Sequence, residues 1–176
     1  MDLFYEMKLN GHEQVLCCSD SALGLSAIIA IHSTRLGPAL GGCRMWPYPS
    51  FDSALSDVLR LSKAMTYKAA IAGLSLGGGK SVILGDPRKD KTKERMMAFA
   101  GHVSSLGGRY IVAEDVGIDL ADIALFRTVT PYVAHFSGDV GGPSDFSSAT
   151  ALGVLLGMQA CLEAVFGDAS FNEKRV

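Results

Sequence analysis

Gly77-Gly78-Gly79-Lys80-Ser81, running straight into the apolar Val82-Ile83-Leu84, is the stretch from which the rest of this chain can be read. Three glycines in a row read as a loop that delivers the Lys80 ammonium. The β-branched and apolar run from Ser81 to Gly85, closed by Asp86-Pro87, then reads as a short strand and a turn. A nucleotide-binding P-loop needs G-x-x-x-x-G-K-[ST] followed by a helix. That register fails, because Leu74 stands where the first glycine belongs, and a strand follows instead of a helix. Lys68 has a related character: among Met65, Ala69, Ala70 and Ile71 it is poorly solvated unless something anionic meets it. Two cations near one loop suggest a pocket for a small carboxylate.

Outward from this stretch the chain alternates strand and helix. Upstream, Glu13 to Ser19 and Leu25 to Ser33 are rich in Val, Ile and Leu between turn residues and predict two adjacent antiparallel strands. Arg35 to Pro49 reads as a loop, in which Gly41-Gly42 let the backbone approach something closely, with Arg44, Met45 and Trp46 just beyond. Ser50 can cap a helix to about Ala70, since Leu55, Val58, Leu59, Leu61 and Met65 recur at helical spacing. Downstream, a helix is expected over about Thr92 to Leu106 and a strand over Arg109 to Ala113. A helix from Leu120 to Val129 capped by Asp119, a short strand near Val133 and a last helix from about Ser147 to Phe166 follow. The pattern predicts an α/β fold, a three-layer α/β/α arrangement with a mostly parallel sheet and antiparallel N-terminal strands. Ligands collect at the carboxyl ends of such strands, where Glu114-Asp115 follow Ala113. There an unpartnered Asp115 carboxylate would be costly without a cation.

Other chemistries fit less well. Gly73-Leu74-Ser75-Leu76-Gly77 matches the G-x-S-x-G nucleophile elbow, with Asp115 and His135 following in order. An elbow needs a strand before its serine and a helix after it, the reverse of the pattern here, so Ser75 reads as an ordinary loop residue. With a formal net charge of -2, and Lys89, Lys91, Lys93 and Arg95 interleaved with Asp90 and Glu94, the chain has no footprint for nucleic acid. His12, His32, His102 and His135 are scattered without ligand spacing, so no metal site is expected. Cys17, Cys18, Cys43 and Cys161 form no C-x-x-C pair and read as reduced thiols of a cytoplasmic protein. The first residues lack a signal-peptide layout, and no apolar run reaches membrane-spanning length.

Four segments together, Gly37-Pro38-Ala39-Leu40-Gly41-Gly42-Cys43-Arg44-Met45-Trp46, Lys63-Ala64-Met65-Thr66-Tyr67-Lys68, Leu76-Gly77-Gly78-Gly79-Lys80-Ser81 and Glu114-Asp115-Val116-Gly117, closely resemble the N-terminal half of leucine dehydrogenases. These belong to the superfamily of glutamate, leucine, phenylalanine and valine dehydrogenases. The likeness runs in order along essentially the whole chain. It implies that Lys68 holds a substrate α-carboxylate, that Lys80 is the catalytic lysine acting through a water, and that Asp115 shuttles a proton to or from the amino group. It further implies that NAD takes the hydride from the α-carbon, the imine then being hydrolysed to a 2-oxo acid and ammonia. Leu40, Gly41, Gly42, Met65 and Ala113 match substrate-binding positions. The apolar, flexible Leu40 and Met65 suit a branched aliphatic side chain and disfavour glutamate. Association through this domain is implied as well, as a dimer or larger homo-oligomer.

Two departures limit the transfer. No G-x-G-x-x-G occurs, so residues 1–166 read as a substrate-binding and oligomerisation domain and residues 167–176 as the start of a connection to an absent NAD-binding Rossmann domain. Such a piece is expected to fold but not to turn over. In Pro143-Ser144-Asp145-Phe146-Ser147-Ser148-Ala149-Thr150, Pro143 stands farther from Thr150 than the family's pattern, which weakens the nicotinamide contact that the resemblance gives Thr150. Cys43 stands where threonine is common. Phenylalanine or another aromatic amino acid is the rival substrate, and a non-catalytic binding or assembly module is the rival class.

Overall fold

The computed structural model describes residues 2–134 and 146–175. It comprises two units, Met1–Ala134 and His135–Val176. In the first unit α1 (Leu3–Asn10) precedes β1 (Gln14–Asp20), β2 (Leu25–Ser33) and β3 (Ala39–Trp46). Then come α2 (Phe51–Ile71), β4 (Gly77–Leu84), α3 (Lys93–Ser105), β5 (Tyr110–Ala113) and α4 (Leu120–Arg127). The second unit holds α5 (Phe146–Phe166).

The five strands form one sheet in the order β1-β2-β4-β3-β5. β3 pairs in parallel with β4 and β5, while β2 is antiparallel to both β1 and β4, so β2 alone opposes the direction of the other four. Alternation along the strands sends Ile28, Ala30 and Val82 to one face, where α2 covers them with Ala54, Leu55, Val58 and Leu59. Ile29, Ile31, Met45 and Ile83 face the other way, onto Met96, Phe99 and Val103 of α3 and Ile123 and Phe126 of α4. This is the expected α/β/α sandwich. Burial of rings such as Phe99 and Phe126, centroids 5.5 Å apart, contributes about 1.5–3 kcal/mol each.

Ser50 and Asp119 are the predicted caps, accepting backbone N–H bonds from Ser53 and from Ala121 and Asp122, and Thr92, expected as the first helical residue, caps α3 by accepting from Arg95. α1, capped by Asp2, was not anticipated. Two further corrections concern strands. Residues 39–46 form β3 in place of the expected loop, and Gly77, Gly78 and Gly79 lie within β4. These glycines are there for close packing, since a Cβ on Gly78 would sit 2.1 Å from the Thr66 amide nitrogen of α2. On Gly79 it would lie 2.7 Å from the Tyr110 ring, and on Gly41 1.7 Å from the Gly79 carbonyl oxygen.

The stretch Ala149–Phe166 of α5 is long and apolar enough, by length and composition, to cross a membrane. This corrects the expectation that no apolar run reaches that length: Gln159 and Glu163 are too few to offset the aliphatic residues around them. Near residue 133 the expected strand reduces to a parallel bridge between Val112 and Val133.

Candidate active site

The register of the sheet assembles the site. Leu40 stands opposite Gly78 in β4 and Ile111 in β5, and Gly42 opposite Ala113. Arg44 stands opposite Val82, which faces α2, so alternation puts Leu40, Gly42 and Arg44 of β3 and Lys80 of β4 on that same side. α2 approaches there closely because Gly78 has no side chain, which brings its Thr66 turn against β4 two residues before Lys80.

On this floor Lys80, 6% exposed, donates to Asp115 Oδ2 across 2.7 Å. Gly42 makes room for the pair: a Cβ there would lie 2.8 Å from Asp115 Cβ and 3.1 Å from Lys80 Nζ. The Asp115 side chain therefore has the cationic partner that its position at the end of β5 demanded. Burial alone would raise the Asp115 carboxyl. The hydrogen bond and charge of Lys80, the Val116 amide and the charge of Arg44 outweigh it and hold the group below the ordinary carboxylate range. Beneath the sheet, Tyr110 Oη donates to the carbonyl oxygen of Gly41 at 2.8 Å and lies 3.0 Å from Ser81 Oγ. Burial pushes the neighbouring Cys43 thiol up to about 12, keeping it a neutral packing group.

Lys68 lies in the last turn of α2, exposed, three residues after the half-buried Met65. Among the described residues it forms no salt bridge. Leu40 and Ala113 are likewise half-buried, whereas Gly41 and Gly42 are buried. Ser75 occupies a bend between α2 and β4, with no helix after it, so it has no nucleophile-elbow geometry. His135 and Pro143-Ser144-Asp145 lie outside the described residues, and Thr150 lies near the start of α5. Among the described residues no cluster of three or more His, Cys, Asp or Glu could hold a metal ion. The glycines of β3 and β4 face protein atoms at distances that exclude even a methyl group, so they build no phosphate cradle and no dinucleotide site.

Arg44, Asp57 and Tyr48 were missed as site residues. Arg44 Nε donates to Asp115 Oδ2 at 3.0 Å and its NH1 to Asp57 Oδ2 at 3.0 Å. Tyr48 Oη donates to the same Asp57 oxygen at 2.7 Å, and Arg60 donates to Asp57 Oδ1 at 2.7 Å. The available signal was an arginine inside an apolar strand, which must find carboxylates.

His12 and His32, 20 residues apart in sequence, meet edge to face at 4.9 Å behind α2. His12 Nε2 lies 3.1 Å from the Leu59 carbonyl and 2.8 Å from Ser62 Oγ, and His32 Nδ1 lies 2.8 Å from Thr66 Oγ1. Burial, then the neighbouring His32, lowers His12 to about 4.

Comparison with known proteins gives this geometry its family. The sequence model for the Glu/Leu/Phe/Val dehydrogenase dimerisation domain matches residues 12–132. Leucine dehydrogenase of Geobacillus stearothermophilus is 52% identical over 176 residues, covering 100% of this chain and 48% of that enzyme. Valine dehydrogenase of Streptomyces virginiae is 49% identical over 94% of this chain and 46% of its own length. The crystal structure of L-tryptophan dehydrogenase from Nostoc punctiforme superposes with a TM-score of 0.74 at 41% identity, over 96% of this chain and 47% of that one. The chain thus spans about half the length of the relatives it matches. By this match and these identities the chain belongs to the Glu/Leu/Phe/Val dehydrogenase family and carries its dimerisation domain.

Proposed function

We propose that this chain is the substrate-binding part of an NAD-dependent dehydrogenase that reversibly deaminates a branched-chain L-amino acid, leucine, valine or isoleucine, to the 2-oxo acid and ammonia. The buried Lys80–Asp115 pair at 2.7 Å carries the reading. A lysine and a carboxylate in contact on a floor too tight for side chains form a preorganised proton-transfer pair. In this account Lys80 activates a water at the α-carbon, Asp115 exchanges a proton with the amino group, and the exposed Lys68 receives the substrate carboxylate as a charge-assisted partner. Leu40, Met65 and Ala113, over the backbone of Gly41 and Gly42, bound the aliphatic side chain. NAD, held by a domain outside this chain, would supply the acceptor for the α-carbon hydride, and Thr150 is the candidate in this chain for a contact to it.

The dimerisation-domain match supports a homo-oligomer, a dimer or larger. Four free thiols suit a reducing, cytoplasmic setting. An aromatic substrate is the second reading, because a tryptophan dehydrogenase shares the fold at 41% identity. The test is NADH formation by the full-length protein with leucine, valine, isoleucine, phenylalanine and tryptophan. Turnover of the aliphatic set first is expected. Turnover of only the aromatic pair would replace the substrate assignment, and turnover of none would end the enzyme reading in favour of a binding or assembly module.

A further inference from the structure

Arg44 is the charged group of this site that the proton-transfer scheme leaves unused. It sits on β3 two residues beyond Gly42, on the same face, with its side chain about three-quarters buried at 23% exposure. Its guanidinium is stretched between two carboxylates. Nε donates to Asp115 Oδ2, and NH1 donates to Asp57 Oδ2, which Tyr48 and Arg60 hold in turn from the β3–α2 connection and α2. Lys80 reaches the same Asp115 oxygen from β4. Both cations therefore bind Oδ2, and Oδ1 is the oxygen that neither occupies.

We propose that Arg44 is a positioning residue for proton transfer: anchored by Asp57, it pins Asp115 Oδ2 so that Oδ1 is presented, ionised, to the substrate's amino group. This rests on the dehydrogenase reading and deepens it. The proton leaving the substrate ammonium goes to Oδ1, while Arg44, whose pKa its two carboxylate partners raise, stays cationic throughout. The groups facing Asp115 are Arg44 from β3 and Lys80 from β4, with the neutral Cys43 and Tyr110 on the far side of the sheet. Asp57 and Arg60 from α2 and Tyr48 before it face Arg44 instead. Asp57, whose burial is outweighed by the Tyr48 and Arg60 bonds and the arginine charges, stays ionised and holds the far end of the fork.

The roles of charge and geometry separate in two variants of the full-length protein. Arg44→Gln removes both, so kcat/KM for leucine should fall about 10–100-fold, and the acid limb of its pH profile should move up by about one unit or more, the usual effect of losing an adjacent opposite charge. Arg44→Lys keeps the charge but not the two-way fork. Its acid limb should stay within about half a unit of the parent while kcat falls roughly tenfold. Asp57→Asn, which leaves Arg44 in place, should reproduce the loss in kcat at about a third of its size on a logarithmic scale, as a tether one bond removed.

A purely structural arginine would lower the unfolding midpoint in all three variants and leave the acid limb unmoved, and that result overturns the proposal. Titration of the Asp115 carboxyl carbon by NMR in this chain adds a readout free of turnover: its midpoint must rise in Arg44→Gln, and an unchanged midpoint also overturns it. If the parent protein turns over none of the amino acids, it is the dehydrogenase reading that has failed, and the NMR titration still decides whether Arg44 controls Asp115.

Discussion

Lys80 and Lys68 stand on neighbouring elements of one unit, yet they are built in opposite ways. Lys80 projects from the central strand of the sheet, is almost fully buried and is bound to a carboxylate. Lys68 projects from the last turn of a helix, is exposed and has no ion-pair partner among the described residues. The difference follows from the work each would do. A proton-transfer group must be held in place before substrate arrives, so its partner is built in. A receptor for a carboxylate must not already be paired with one, because a resident aspartate would compete with the ligand for its donors.

The largest expected effect breaks the buried side of the contrast. In the full-length protein, Lys80→Ala should lower kcat/KM by about 10²–10⁴-fold, the range for loss of a general acid or base. A loss below about tenfold, measured by steady-state NADH formation, would remove Lys80 from the chemistry. Next, Lys68→Ala should raise KM for leucine by about 10–100-fold with kcat changed much less, matching a charged hydrogen bond worth about 1.5–3 kcal/mol. A loss confined to kcat would contradict a binding role.

The two lysines can also be pulled apart without touching either. At Gly78 a Cβ meets the Thr66 amide at 2.1 Å, backbone against backbone, so Gly78→Ala must push α2 and Lys68 away from β4 and Lys80. Urea unfolding should show a loss of about 1–3 kcal/mol, the usual size of overpacking. An unchanged midpoint would mean that helix and strand are not held so closely.

The smallest effect is a pH dependence. His12 is depressed from 6.5 to about 4 by burial and by His32, so the folded protein disfavours its protonation. Between those values the unfolded chain binds more protons, hence stability present above pH 6.5 is lost as pH falls towards 4. On the order of 1–2 kcal/mol is at stake once partial solvent screening is allowed for. The Lys68 end of α2, tied to these histidines through Ser62 and Thr66, should loosen first in amide hydrogen exchange. Equal loosening of β4 would contradict this.

Much of this arrangement was legible beforehand because local chemistry and tertiary structure agreed. Ser50 and Asp119 cap the helices that their sequences advertise, and the Val- and Ile-rich runs form strands. Lys80 stood out by the glycine run before it and Asp115 by the cost of an unpartnered carboxylate at a strand end, while their roles came from the resemblance. The glycine segments misled for a physical reason. Gly77 to Gly79 carry no hydrophobic or β-branched signal, and their extended state is imposed by Thr66, Tyr110 and the β3 backbone pressing on them. Partners distant in sequence, such as Arg44 with Asp115 or His12 with His32, become neighbours only through the sheet order.

The central claim is that Lys80 and Asp115 act as one unit, and a double-mutant cycle on kcat/KM in the full-length protein tests it most directly. If they do, Lys80→Ala combined with Asp115→Asn will be little worse than the more damaging single change, the non-additivity of groups that share one step. Losses that multiply, each residue costing the same whether or not the other is present, would contradict the account.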